Sequence, residues 1–334
     1  MKNSLWHVGL QSLISVFFIV NSAYAENVLP TDHIFAADSF WYTPIPAEVK
    51  LHENSAAFVA EFMRQKTTYY GTVNINTAAY ASPVYYASKE TPSSKVAYWN
   101  CQNKAYIDES LVEQWSAVPV PSYAIPAKGS DAEMTIYQAA TDTLWEFWQT
   151  RSNNGKFQAC WGGRITNASK SEGIFDKYYG TTATSLPFIG GQITAEELQR
   201  GEIKHVIGIS LVDLAGSSVF SWPAHRSDGY NPKNLPNKIP EGLRFRLDPK
   251  IDVDTLNMHP AGKIIAKAAQ KYGFVVWDKA GAISIRAQNP YSYTTLGKAD
   301  PYEKLFAGTK AYAILNGFPW GRLQFLPMNY GKPD

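Results

Sequence analysis

His225 and Asp228 sit three residues apart in WPAHRSDG at 222–229. An imidazole held by a nearby carboxylate keeps one tautomer and can move a proton near neutral pH. His205, upstream at the head of the apolar run HVIGISLV, is the third candidate for the same acid–base work. Arg226 and Arg164 are the cations that would neutralise an anionic group. Trp145, Trp148 and Trp222 offer flat faces on which a sugar ring can stack. Glu146 shares a strand face with Leu144 and Trp148 in TLWEFWQ, which puts a carboxylate beside an indole. A hydrolase needs two carboxylates about 5–10 Å apart, and Asp142, Glu146 and Asp228 are the candidates.

The expectation is therefore a polysaccharide hydrolase or lyase. His225, Asp228 and His205 would be catalytic, and Trp145, Trp148, Trp222, Arg164, Arg226 and Glu146 would bind substrate. For a lyase acting on an acidic sugar, Tyr178, Tyr179, Arg244 and Arg246 add the residue types required. The same aromatic face also suits a non-catalytic surface protein that binds glycan or another protein. There is no GxSxG, HExxH, phosphate loop or GxGxxG in the chain. Asp248, Asp252 and Asp254 lack the spacing and glycine of a calcium loop. Neither a metal nor a cofactor is expected.

Strands and loops must position these groups. HVIGISLV reads as a strand and WPAHRSDG as its functional loop. EMTIYQA and TLWEFWQTRS flank Ala140-Thr141-Asp142 as a hairpin, and Asn153-Asn154-Gly155 turns the second strand into KFQACWGGRITN. LRFRLDP alternates as a half-buried strand with Arg244 and Arg246 on its outer face. GFVVWDKAGAISIRAQ closes as a hairpin at 278–281. Helices are predicted over SAAFVAEFMRQK, over TAEELQRG with a Thr194–Glu197 capping box, and over PAGKIIAKAAQKYG with His259 as N-cap. No βαβ alternation is visible. The fold expected is mainly β: an antiparallel, concanavalin-like β-sandwich or jelly roll with a few peripheral helices.

Composition bounds the rest. The chain has 334 residues, 45% hydrophobic and 18% charged, and a net charge of +2. That leaves no electrostatic case for nucleic acid. Lys2, the apolar run at 10–20 and Ala23-Tyr24-Ala25 fit a signal peptide at 1–25. The expectation is a periplasmic or secreted protein with no transmembrane segment in the mature chain. Residues 26–117 form a weakly patterned N-terminal extension packed on the core, and 118–334 form the β-sandwich domain. In an exported chain, the two cysteines, Cys101 and Cys160, pair as a disulfide. Aromatics reach 14%, with 10 Trp and 20 Tyr, which fits a carbohydrate or cell-surface glycan as partner.

Several short pieces resemble a group of secreted bacterial proteins of no assigned activity. They are Trp145-Glu146-Phe147-Trp148, Trp161-Gly162-Gly163, the strand opening at His205, Pro223-Ala224 with Asp228-Gly229, Pro240-Glu241-Gly242, and Tyr272-Gly273. The resemblance spans about residues 118–290. It implies a single exported β-rich domain and brings no catalytic residues.

Overall fold

The computed structural model describes residues 33–333, so the signal peptide expected at 1–25 lies outside the described residues. The first part of the chain contributes helix α1 (Ser55–Thr68), strands β1 (Asn74–Asn76), β2 (Val84–Tyr86) and β3 (Ala97–Tyr98), and helix α2 (Glu109–Gln114). Then come β4 (Met134–Gln138), β5 (Thr143–Trp148), β6 (Arg151–Asn153), β7 (Lys156–Ala159) and β8 (Trp161–Thr166). Helices α3 (Phe188–Gly191) and α4 (Ala195–Arg200) precede β9 (Ile207–Leu211) and β10 (Arg244–Leu247). Helix α5 (Pro260–Lys271), β11 (Phe274–Lys279), β12 (Ser284–Arg286) and, near the end, β13 (Leu323–Phe325) complete the frame. No helix among the described residues is long and apolar enough to cross a membrane.

Among the described residues, thirteen strands form three sheets, ordered β1-β12-β9-β11-β10-β13, β2-β4-β5-β8 and β3-β7-β6. Helix and strand are nearly equal, at 22% and 21% of residues, so the strand-rich expectation holds only in part. The sheets are mixed rather than antiparallel: β1 with β12, β9 with β11, β2 with β4 and β3 with β7 are all parallel pairs.

Both faces of the six-stranded sheet are buried. Phe274 and Val276 of β11 point into one apolar cluster with Ile207, Ile209, Phe245 and α5. Val275 and Trp277 point into the other with Val206, Phe147 and Trp41. This is the period-two alternation of a strand covered on both sides. Gly208 of β9 lies under the Trp277 ring, and a Cβ built on it would meet that ring at 2.2 Å.

Three sequence expectations change here. The 278–281 turn does not join a hairpin, because β9 lies between β11 and β12 and pairs with both. β9 is fully buried along its length and hides more apolar surface at the sheet centre than at an edge. The strand carrying Arg244 and Arg246 is not half-exposed: both are buried, at 2% and 3% exposure. Arg244 donates to the Tyr272 carbonyl and Arg246 to the carbonyls of Pro46 and Ala47, so their charges are met by backbone oxygens. The long hairpin around Asn154 and Gly155, both in the left-handed region as a type I′ turn requires, is split in two. β5 pairs with β8 up to Trp148↔Trp161, while β6 and β7 continue in the small sheet. The split falls at Cys160, which forms the expected disulfide with Cys101, Cα–Cα 5.6 Å.

The helix signals hold. Thr194 and Glu197 form the capping box, and Gly201 ends α4 in the left-handed region. His259 caps α5 by accepting from the Ala261 amide at 3.1 Å.

Candidate functional site

The ends of β4, β5, β8 and β11 converge on a cavity of about 530 Å³. Glu133 directly precedes β4, and the Met134↔Phe147 register of β4 with β5 brings it level with Trp148. Trp148 in turn pairs with Trp161. One end of the four-stranded sheet therefore supplies a carboxyl and two indoles. β11 supplies Asp278 and Lys279. Its pairing with β9 slips between Val276 and Asp278, a bulge of the kind that re-aims a strand end. Tyr178 and the 181–183 segment form another wall, and Arg226 and Asp228 come from the 222–229 loop. Lys104 and Tyr106 close the rim from just beyond Cys101, with the Lys104 ammonium 3.8 Å from the centre of the Trp161 ring.

Carboxyls dominate the interior. Glu133 is 1% exposed, and neither of its oxygens has a hydrogen-bond partner among the described residues. Burial pushes its pKa up to about 7, with Asp131 and Asp278 adding to the rise and Arg286 opposing it. Asp278 accepts from the Lys279 and Ala183 amides on one oxygen, at 3.1 and 3.3 Å, and from Arg286 Nη2 on the other, at 3.3 Å. Burial and then the charge of Asp228 push it up to about 6, against Arg286. Behind it, Glu241 accepts the Asp228 amide at 3.0 Å on Oε2, while Oε1 is buried and unpartnered. Burial, with Asp228 and Asp278 beside it, raises Glu241 to about 8. Asp228, Glu241 and Asp278 each bring an oxygen within 4.8 Å of the others.

The structure divides the residues singled out from sequence. Asp228, Arg226 and Trp148 line this cavity. Arg226 spends its guanidinium on Thr182 O at 2.7 Å, Gly180 O and Ser185 Oγ, so it fastens the 180–185 wall. His225 and Trp222 line a separate depression of about 560 Å³ with Lys177 and Lys332, which meets the first only at Tyr178. His205 lines a third, small cavity and is buried against Glu197, Nε2 to Oε1 3.2 Å. The three residues expected to act together are thus held in three places. The physical reason is local: His205 precedes the strand that enters the sheet, and the 222–228 loop passes from one cavity to the other between His225 and Arg226.

Trp145 and Glu146 do not reach the cavity. Trp145 is core, its indole donating to Gln114 O at 3.1 Å. Glu146 is fully buried and accepts from Thr181, Thr135 and the Phe188 and Ile189 amides. Burial raises it to about 7 even against those donors; its work is to tie β5 to α3. Arg164 lies half-buried on β8, with its amide on Gln114 Oε1. Sequence reasoning passed over Glu133, Glu241 and Asp278. Asp278 carried a usable signal, an acid directly after the buried run FVVW; Glu133, in DAEM, carried none.

Comparison of the chain with protein-family models, with curated proteins and with solved structures finds no match.

Proposed function

We propose that this chain is an exported carbohydrate-acting protein whose chemistry is hydrolytic and resides in the carboxyl cavity. One observation carries the reading: Glu133 is buried and unpartnered in the wall of a cavity faced with Trp148 and Trp161. Burial keeps a carboxyl protonated near neutral pH, which is what a general acid for a glycosidic oxygen needs. Asp228 and Asp278, which line the same cavity, are the carboxylates that orient the attacking water. The indoles and Tyr178 are stacking surfaces for sugar rings. Lys104 places a cation on the rim of the same cavity, so acidic as well as neutral sugars belong in the test. The signal-peptide pattern of the sequence at 1–25 and the disulfide support export. The histidines leave the catalytic role, and the depression holding His225 and Trp222 is a surface along which a longer chain would extend.

The test is a panel of neutral and acidic oligosaccharides incubated with the wild type and with Glu133→Gln, read for new reducing ends and for unsaturated uronate. Reducing ends lost in the variant, with binding retained, are expected. Unsaturated product would replace hydrolysis by elimination. Binding with no product from any glycan would leave a glycan-binding protein, the reading that the aromatic wall alone supports.

A further inference from the structure

Three carboxylates meeting within 4.8 Å is an arrangement that acid–base work alone does not require. Asp228, Glu241 and Asp278 come from three separate segments, and Glu241 is 1% exposed. Donors meet part of their charge: the Asp228 amide on Glu241, the Ala183 and Lys279 amides on Asp278, and one nitrogen of Arg286 on Asp278. Glu241 Oε1 has no donor. Glu133, lining the same cavity as Asp228 and Asp278, has none on either oxygen. Buried carboxyl oxygens without donors are costly unless they take up a proton or positive charge stands before them, and buried Arg286 hydrogen-bonds Asp278 through Nη2, with its Nε and Nη1 unpartnered. The guanidinium of Arg226 is already engaged by Thr182, Gly180 and Ser185. The Lys279 ammonium lies out towards the Tyr230 ring, 5.9 Å from its centre.

We propose that Asp228, Glu241 and Asp278 bind one hard divalent cation, calcium, where Asp228 and Asp278 line the cavity and Glu241 stands behind them. Oxygens bound about 2.3–2.6 Å from a single calcium ion lie at most about 5 Å from one another, and these three satisfy that limit as they stand. The donor set is oxygen alone, with no imidazole or thiolate, which selects calcium, magnesium or manganese over zinc or copper. Calcium tolerates an irregular shell completed by carbonyls and water, whereas magnesium demands near-octahedral geometry at shorter distance. The role of the ion in turnover, holding a water or sugar hydroxyl opposite Glu133, rests on the hydrolase reading; its binding does not.

The full chain, stripped with chelator and dialysed, is titrated calorimetrically with calcium, magnesium and manganese chlorides, and melted with and without each. One calcium per chain and a raised Tm are expected. Glu241→Gln and Asp278→Asn each weaken binding at least roughly tenfold, while Asp254→Asn, on the far exposed surface, leaves it unchanged. Melting the metal-free variants separates lost binding from lost folding, because neutralising one carboxylate of the cluster relieves repulsion and keeps their Tm at or above the wild type's. Absence of heat and of any Tm shift with all three metals overturns the site, as does calcium binding that survives both substitutions. Binding of magnesium alone overturns the assignment of calcium. Calcium binding without glycan product sinks the hydrolase reading alone, and chelator-insensitive turnover without calcium binding sinks the cation site alone.

Discussion

Nε2 of His205 lies 3.2 Å from Oε1 of Glu197, and its Nδ1 lies 2.8 Å from the Val206 carbonyl oxygen. With an acceptor at each nitrogen, the buried ring is held as imidazolium. Burial works against that charge, but Glu197 outweighs it and the pKa rises above 6.5. Glu197 is pushed up by burial and pulled further down, below 4.5, by His205 and the Thr194 amide. The signs define a window. The Glu197 contribution is present above 4.5 and is lost as pH falls through its lowered folded value. The His205 contribution is present below 6.5 and is lost as pH rises through its raised folded value. His205→Ala and Glu197→Ala are each expected to cost about 3–5 kcal/mol between those two pH values. Urea unfolding across pH checks this, and identical pH profiles for wild type and variants would remove the ion pair from the account.

Glu133→Gln separates stability from turnover. Its carboxyl ionises near 4.5 when unfolded and at about 7 when folded. The folded state therefore binds more protons in that interval, and stability falls as pH rises from 4.5 to about 7. Glutamine removes that fall, so above neutrality the variant is expected to be more stable by up to about 3 kcal/mol. On the proposed hydrolase reading, the same change is expected to lower kcat by about 10²–10⁴-fold. In the wild type, kcat declines as pH rises through about 7, since a general acid must hold its proton. Denaturation curves and initial rates measured over one pH series read both effects.

Cys101 and Cys160 close a loop with a sequence separation of 59 residues. In the chain-entropy treatment that closure is worth about 4 kcal/mol. A Cys101→Ser, Cys160→Ser double variant is expected to lose a comparable amount in urea unfolding. It should also lose glycan affinity, because the Lys104 and Tyr106 rim follows directly on Cys101.

Gly208→Val tests the sheet centre. The Trp277 ring stands where a Cβ would be, at 2.2 Å, and the neighbourhood is fully buried, so neither side can yield cheaply. A loss of more than about 3 kcal/mol is expected. Gly216→Ala is the control for space, since nothing lies within 4 Å of a Cβ there and its backbone is not in the left-handed region.

Much of the local structure was written in the chain. Thr194 with Glu197, Pro260 after His259, and Asn154 before Gly155 act through their own neighbours, so their effects are legible over four or five residues. The sheet order was not. Nothing in GFVVWDKAGAISIRAQ announces that HVIGISLV inserts between its two arms, because that choice is made by burial among strands distant in sequence. The site suffered likewise. Asp228 and Trp148 were singled out from their types and line the candidate cavity, but Glu133, Glu241 and Asp278 join it only through a meeting that spacing does not encode. His205 and Glu146 show the converse, chemically suggestive side chains whose partners turn out to be structural.

The first hundred residues supply one outer strand to each sheet: β1 beside β12, β2 beside β4, and β3 beside β7. Asn74 must wait for Ser284 before the largest sheet can close. A chain delivered from its N-terminus thus stays unlatched until nearly all of it has arrived. It also makes the fold indivisible. A fragment beginning at 118 would expose three unpaired borders, each a template for sticking to its own copies, so shortening this protein from the front trades solubility for size.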